Sequence, residues 1–336
     1  MALLLSAEDI RGLVTMDDAI AVMQTVVREE AAGTTVHMAP FGGQHARPRG
    51  MPPARGPGGG AEGGGVLRAV GGGAFGLGRI GVRAGGVALV FDTDGNRLLA
   101  ILPASFSSLR IGSTIGLAAK YLSRPDARSV GLLGSGRNAL PTLQGLAAAR
   151  PIERLKVFSP NPDHRSAFAD RAASALGTPV SAVGSVEAAT EGADIIVTAT
   201  SSAAPVVTAD HLRPGTHVTS MGEPHELDAS VFLRADQVVA SSWQLEMEAI
   251  DPSGKRVSQR QGLSSLPLWE VIADGRLARR DLVELGAIVA GNVAARIGPT
   301  DITVFLESQG GAGDIALANL AYERARDLGR GTEFSF

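Results

Sequence analysis

Apolar and polar positions alternate along this chain with two different periods. Between residues 15 and 33 the apolar side chains Ile20, Met23, Val26 and Val27 recur every three or four residues, the helical repeat. Thr15 and Asp18 form a Thr-x-x-Asp capping box in front of that helix, and Gly33 ends it. A second box, Ser6 with Asp9, makes the segment before it read as helix too. GVALVFDTDGN, from Gly86, is an apolar strand that runs into an Asp-Gly turn, and LLAILP resumes on the other side, so the pair predicts a β-hairpin. SSLRIGSTIGLAAKYLS then predicts a long helix with Arg110 near its start.

From Val130 onward short apolar runs alternate with helical patterns. VGLLGSG is a buried strand running into glycines, and NALPTLQGLAAA is a helix with Pro141 in its first turn, where a missing N–H costs least. LKVFS is the next strand. Asn161 caps a helix whose first residue is Pro162 and which ends near Gly177. VEAATEG, IIVTAT, HVTSMG and QVVASS continue the alternation, and ITVFLES adds a strand near the end. This rhythm predicts an α/β fold, a doubly wound parallel sheet covered by helices on both faces. The last helix, GDIALANLAYERARDLG, reads as amphipathic, with Ile315, Leu317, Leu320 and Ala321 on one side.

Composition changes this picture in one place. Glycine reaches 43 of 336 residues, about 13% against a usual ~7%. Fifteen glycines lie between Gly42 and Gly78, together with Pro48, Pro52, Pro53 and Pro57. Backbone entropy opposes packing there, so residues of about 42–78 read as a mobile surface loop of the first domain. It is either a solvated linker or a flap over the substrate, and Arg47, Arg49 and Arg55 would face an anionic substrate in the second case.

A chain of 336 residues has two domains as its default. The net charge of −3, with no basic run, argues against a nucleic-acid partner. Without cysteine there is no disulfide, thiolate zinc site or cysteine nucleophile, which suits a reducing cytoplasm. The start MALLLSAEDI lacks a basic region, and no apolar run approaches the ~20 residues a bilayer requires. The expectation is a soluble cytoplasmic protein with no membrane partner. The six histidines show no paired-ligand spacing, so no metal is expected.

The chemistry sits after the strand VGLL. Gly134-Ser135-Gly136-Arg137-Asn138-Ala139 is a G-x-G-x-x-A sequence between a strand and a helix. The first glycine permits the tight turn, the second lets a diphosphate approach the backbone, and the small last residue lets helix and strand pack closely. The helix N-terminus offers N–H groups and partial positive charge to the phosphates. NAD-binding domains usually place an acid at the end of the second strand, to accept from the ribose 2′-hydroxyl. Here Ser159 stands at that place, with Asn161 beside it and Arg165 a turn onward. Without a carboxylate there, nothing repels a 2′-phosphate. The balance favours NADP over NAD, with Asp163 as the group that would restore NAD.

LLLSAEDIRGLVTMDDAIAVMQTVVREEAAG, SSLRIGSTIGLAAKYLSRPDARSVGLLGSGRNA, GADIIVTATSSAAPVV, GTHVTSMGEPHELD and GGAGDIALANLAYERARDLGRGTEF follow one another along nearly the whole chain, the glycine-rich segment excepted. In this order they resemble the ornithine cyclodeaminase/mu-crystallin family. The resemblance implies a Rossmann dinucleotide-binding domain over residues 113–308. It also implies a discontinuous α+β domain for substrate binding and dimerisation, residues 1–112 plus 309–336, with the protein a homodimer. Family activities include cyclodeaminases, amino-acid dehydrogenases and imine or ketimine reductases, along with an NADPH-binding lens protein.

Carried over residue by residue, the resemblance makes Arg110 the arginine that holds the substrate carboxylate, although Ile111-Gly112-Ser113 replace the usual Thr-Ala-Ala after it. An ordinary helix-surface arginine is the alternative. Arg83 stands where the family has a lysine in a Gly-Val-Lys segment; arginine can bind a carboxylate there but cannot yield a proton at neutral pH. Glu223 stands where the family's catalytic aspartate follows a glycine, and is the candidate acid/base. Glu226 reads as a capping residue, and His217 and His225 as lesser candidate proton donors. Thr198, Thr200, Met221 and Ser308 would line the strand ends near the nicotinamide.

These departures argue against the four linked steps of cyclodeamination and for simple hydride transfer. The expected protein is an NAD(P)H-dependent imine reductase or amino-acid dehydrogenase, acting on a small imino or amino acid. Its rivals are a cyclodeaminase-type ammonia lyase that recycles its NAD, and an NADPH and small-acid binding protein that has lost turnover.

Overall fold

The computed structural model describes residues 1–37, 67–72, 79–84, 86–92, 97–221, 225–241, 266–278, 281–307 and 311–335. They fall into two compact units. The first comprises Met1–Val14, Ala32–Phe106 and Gly311–Phe336, the second Thr15–Ala31 and Ser107–Gly310.

The first unit is a seven-stranded mixed sheet. Its strands are β1 (Ala2–Leu4), β2 (Thr35–His37), β3 (Leu67–Gly72), β4 (Arg79–Ala84), β5 (Val87–Asp92), β6 (Arg97–Pro103) and β15 (Thr332–Phe334), in the order β15-β1-β6-β5-β4-β3-β2. The hairpin expected from GVALVFD and LLAILP is the antiparallel β5–β6 pair, with Leu89 opposite Ile101. The last helix, α9 (Ala312–Asp327), packs on β4, β5 and β6.

Three expectations are corrected here. The N-terminal segment is a strand followed by turns: the Ser6–Asp9 box forms, with Ser6 N–H donating to Asp9 at 2.8 Å, but the chain turns at Gly12 with φ of 72°. A capping box needs a following apolar repeat to become a helix, and Ala2–Leu4 instead gains strand partners on both sides. Within the glycine-rich stretch, Leu67–Gly72 is strand β3, paired with β2 and β4; the remainder of 42–78 lies outside the described residues. Helix α9 is not amphipathic over its first half, because Asp314 and Asn319 are buried along with Ile315 and Leu317, while Leu320 is only half-buried.

The second unit carries an eight-stranded sheet in which every neighbouring pair is parallel. Its strands are β7 (Ser129–Leu133), β8 (Arg154–Phe158), β9 (Val180–Ala182), β10 (Ile195–Thr198), β11 (His217–Ser220), β12 (Gln237–Ala240), β13 (Leu282–Glu284) and β14 (Thr303–Leu306), in the order β13-β12-β14-β11-β10-β7-β8-β9. The chain runs outward from β7 through β8 to β9, then returns to place β10 on the other side of β7. That reversal opens a crevice at the carboxyl ends of β7 and β10. Strands β7, β10 and β14 are buried along their whole length, as expected for a sheet covered on both faces.

The helices of this unit are α1 (Met16–Ala31), α2 (Ser107–Leu122), α3 (Ala139–Ala149), α4 (Pro162–Leu176), α5 (Val186–Thr190), α6 (Ala229–Arg234), α7 (Leu266–Ala273) and α8 (Leu285–Val289). The Thr15–Asp18 box caps α1, whose Met23, Val26 and Val27 are buried as the apolar repeat requires. Asn161 caps α4 by accepting from His164 N–H at 2.9 Å, and Gly177 ends it with φ of 66°.

Helices α2 and α3 touch backbone to backbone. A Cβ on Gly145 would lie 1.9 Å from the Gly112 carbonyl oxygen, and one on Gly116 would lie 2.4 Å from that of Gly145. Gly112, which departs from the family pattern, is thus explained by the approach of α3. Gly145→Ala is expected to force the helices apart at a cost of about 3 kcal/mol, at the upper end for overpacking. Thermal unfolding should show this as a Tm lowered by roughly 6–12 °C.

Candidate functional site

The crevice is built first from glycine. After the buried strand β7, Gly134 turns the chain with φ of 108°, and a Cβ there would lie 2.2 Å from the carbonyl oxygen of Ala199. Its N–H donates to Phe158 O at 2.8 Å, and Ala199 N–H donates to Leu133 O at 2.8 Å, so the turn is stitched to both neighbouring strands. Gly136 is different. It is exposed, its φ is not in the left-handed region, and a Cβ there would meet only Ala199 O, at 4.0 Å. Nothing among the described residues requires glycine at 136, whereas a diphosphate pressed against the backbone would.

Helix α3 begins at Ala139 without a side-chain cap. Asn138, at the N-cap, instead uses its amide oxygen to accept from Ser108 Oγ at 2.8 Å. The first-turn amides of α3 are therefore not taken up by a capping side chain, and that end of the helix favours an anion. The turn therefore fits a dinucleotide diphosphate. Ser135 and Arg137 sit on its rim, half-buried and exposed respectively.

Ser159, just past β8, is buried, and its hydroxyl lies 3.1 Å from that of Ser135. Arg165 donates to Ser159 O at 2.7 Å and stacks over the Phe158 ring at 5.5 Å, so its guanidinium is fixed beside the place where a ribose hydroxyl or phosphate would lie. Asn161 turns its side chain to the helix cap described above.

At the carboxyl ends of β10 and β11 the structure holds a group that the sequence reading placed elsewhere. Glu226 does not cap α6; Asp228 does, accepting from Ser230 N–H at 2.8 Å. An N-cap residue adjoins the helix, and Glu226 is two residues too early. Its side chain is instead fully buried, accepting from Thr198 Oγ1 at 2.9 Å, Thr200 N–H at 2.6 Å and Ser220 Oγ at 3.0 Å. Burial raises its pKa above the ordinary glutamate value, against the opposing pull of those donors. Thr198 and Thr200 are thus engaged with Glu226, and Met221 lies half-buried, with its sulfur 3.9 Å from Thr142 Oγ1.

Arg110 is buried on α2, which removes the alternative of a helix-surface arginine. Its Nη1 donates to Glu307, itself buried just past β14, at 2.5 Å. Sequence reasoning missed Glu307. The available signal was its place: a carboxylate at the carboxyl end of a parallel strand, where such folds gather their site residues. Ser108, two residues before Arg110, is the donor to Asn138, so the arginine's helix is tied to the dinucleotide turn.

His217 is excluded as a proton donor. It lies at the amino end of β11, opposite Ile195 and Thr303, at the end of the strands away from the turn. It is fully buried, with Nδ1 2.9 Å from Thr303 Oγ1, and burial brings its pKa down to about 3, assisted by the Arg296 and Arg150 charges. Because the folded pKa lies below the unfolded value of about 6.5, the neutral ring supports the fold fully above pH 6.5. That support is lost as pH falls from 6.5 through about 3. Urea unfolding at pH 7, 6 and 5 should show stability falling by up to about 1.4 kcal/mol per pH unit from this group. The slope should flatten in His217→Gln.

His225 is half-buried in a turn. Glu223 and Ser308 lie outside the described residues. Arg83 is described by its backbone alone, in β4 opposite Arg68 of β3 and Ala88 of β5. Among the described residues, no cluster of His, Asp or Glu could hold a metal ion, and no helix is long and apolar enough to cross a membrane.

Comparison with known proteins gives the family and the fold. The model of the ornithine cyclodeaminase/mu-crystallin family matches residues 2–329. Delta(1)-pyrroline-2-carboxylate reductase of Bacillus cereus is 28% identical over 349 aligned residues, covering 99% of this chain and all of the relative. Among solved structures, the Thermococcus litoralis Delta(1)-pyrroline-2-carboxylate reductase in complex with NADH and L-proline superposes with a TM-score of 0.80. Its identity is 24%, and 99% of this chain and 100% of that one are covered. The iminosuccinate reductase of Paracoccus denitrificans in complex with NAD+ gives 0.82 at 22% identity, covering 100% and 99%. These two likenesses establish the fold.

Proposed function

The chain belongs to the ornithine cyclodeaminase/mu-crystallin family, and from that premise we propose that it is an NAD(P)H-dependent reductase of small imino acids. The observation that carries this reading is the joining of two features in the second unit. One is a glycine turn whose second glycine has room above it among the described residues, as a bound diphosphate requires; the other is a buried arginine whose helix is hydrogen-bonded to that turn. The full-length relative named for reduction of a cyclic imino acid supports the substrate class.

Gly134–Ala139 would hold the diphosphate of a reduced dinucleotide, whose nicotinamide would supply hydride for the carbon of a C=N bond. Arg110 grips the substrate carboxylate and, being held by Glu307, presents its guanidinium in one orientation. On the family resemblance alone, Arg83 is proposed as a further substrate-binding cation and Glu223 as the proton donor to nitrogen. Ser135, Arg137 and Asn138 hold the diphosphate from the turn. Thr198, Thr200 and Met221, at the strand ends beyond that turn, are the groups proposed to lie beside the nicotinamide, and the family resemblance alone adds Ser308 to them. In the opposite direction an oxidised dinucleotide would accept the hydride from the corresponding amino acid, and the same residues would bind that acid and take its proton.

NADP is the preferred dinucleotide in this reading. Ser159 offers no carboxylate to repel a 2′-phosphate, and Arg165 stands fixed beside it with Asn161 at the rim. Arg165→Ala is expected to weaken NADPH binding roughly 10- to 100-fold, the loss of one charge-assisted contact, while changing NADH binding less than about threefold. Titration of each cofactor's fluorescence measures both.

A homodimer in the cytoplasm completes the reading. In β5 and β6 the face that α9 covers carries Ala88, Val90, Ala100 and Leu102. The alternate residues Val87, Leu89, Ile101 and Pro103 are apolar and only partly buried, with Leu4 of β1 beside Ile101. An apolar sheet face of this kind suits a second copy, and a sedimenting mass of twice 34.5 kDa tests it.

The central test is NADPH oxidation, followed at 340 nm, with Δ1-pyrroline-2-carboxylate, Δ1-piperideine-2-carboxylate and linear imino acids. Turnover of at least one is expected. Ammonia release from a diamino acid with no net change in NADPH would establish the lyase instead, and tight NADPH binding with no turnover would establish a binding protein.

A further inference from the structure

We propose that Glu226 is a positioning residue of the crevice, pinning the loop that leaves β10 against the dinucleotide turn. The inference rests on the reading of that turn as the cofactor site. Glu226 is fully buried, and its carboxyl gathers the end of β10 through Thr198 Oγ1, the end of β11 through Ser220 Oγ, and the exit loop through Thr200 N–H. The same residue's backbone carbonyl accepts from Val206 N–H at 2.9 Å and Val207 N–H at 3.2 Å. Both ends of the segment 199–206 therefore hang on one residue.

Between Thr198 and Thr200 lies Ala199, and Ala199 is the residue against which the turn is built. Its N–H binds Leu133 O, and its carbonyl oxygen fills the space where a Cβ of Gly134 would stand. The path from Glu226 to the turn is thus a continuous run of hydrogen bonds and backbone contact, within one unit of the protein. A buried carboxyl is a costly way to fill space, and an apolar side chain would fill it more cheaply. An apolar side chain, however, would leave Thr200 N–H without its acceptor and release the loop. Binding would then have to order those residues itself, and affinity would fall.

The test compares wild type, Glu226→Gln and Glu226→Leu at a temperature at least 15 °C below each melting point. Hydrogen exchange without ligand should show faster exchange at Thr200, Val206 and Val207 in Glu226→Leu. Titration with NADPH should show 10- to 100-fold weaker binding, while KM for the imino acid at saturating cofactor moves less than about threefold. Gln keeps an acceptor for Thr200 N–H, and the two hydroxyls can rotate to accept from its amide, so it should bind within about threefold of wild type.

Should Glu226→Leu not fold, Ser220→Ala, which removes one donor from the carboxyl and leaves every residue assigned to the cofactor in place, is expected to weaken NADPH binding at least fivefold. Faster exchange with unchanged NADPH affinity, or a lowered melting point with both unchanged, would overturn the proposal. If wild type binds neither NADPH nor NADH, the reading of the turn fails, and this inference with it. If wild type binds and Glu226→Leu binds equally well, only the inference fails.

Discussion

Gly136→Val is expected to fold as wild type does, with Tm changed by less than about 3 °C, and to lose NADPH and NADH binding by at least about 100-fold. The two glycines of the turn look equivalent in sequence and are not equivalent in space. Among the described residues a Cβ at 136 finds one atom within reach, at 4.0 Å, and the backbone there has no need of a left-handed conformation. The protein alone therefore tolerates a side chain at that place. A diphosphate lying on the turn does not, because two β-methyl groups would stand where its oxygens meet the backbone N–H groups.

Gly134→Val is the control with the opposite signature. Its φ of 108° is hostile to a β-branched residue, and its Cβ would lie 2.2 Å from Ala199 O. That variant should melt well below wild type or fail to fold. Calorimetric titration alongside scanning calorimetry separates the two. Retained dinucleotide affinity in Gly136→Val would mean that the room above the turn serves no diphosphate, and the proposed function would lose its footing.

Much of this site was legible before the structure, and the reason is local. The turn after β7, the Thr15 and Asn161 caps and the β5–β6 hairpin are specified by residues adjacent in sequence, so their backbone hydrogen bonds follow from short-range geometry. What was not legible depends on partners far along the chain. Ala2–Leu4 is a strand because Thr332–Phe334 and β6 flank it, over 300 residues away in one case. Glu307 and Arg110 meet across 197 positions. Glu226 shows the same limit at short range. Its neighbours in the ELD sequence suggest a cap, and only the arrangement of β10 beside β11 reveals a buried carboxyl with three donors around it. His217 failed as a proton donor for a related reason: residue type is visible in sequence, but the end of the strand on which it sits is not.

Arg110→Ala should cost both stability and catalysis, and a second substitution should separate the two. Removing the guanidinium breaks the buried Arg110–Glu307 pair, a loss of about 3–5 kcal/mol by comparison with other broken buried pairs. Replacing both members, as in Arg110→Met with Glu307→Leu, removes that burden, because well-packed apolar groups substitute for a buried pair at little or no cost. The double variant is therefore expected to regain most of the lost Tm. It should not regain turnover. A substrate carboxylate that loses a bidentate guanidinium loses roughly 4 kcal/mol, about a thousandfold in kcat/KM. Arg110→Lys keeps the charge without the planar fork and should fall in between. NADPH affinity should stay within about threefold of wild type in all three. Recovery of kcat/KM together with Tm in the double variant would show that Arg110 serves only the fold, and the substrate's acid group would then have to be held elsewhere.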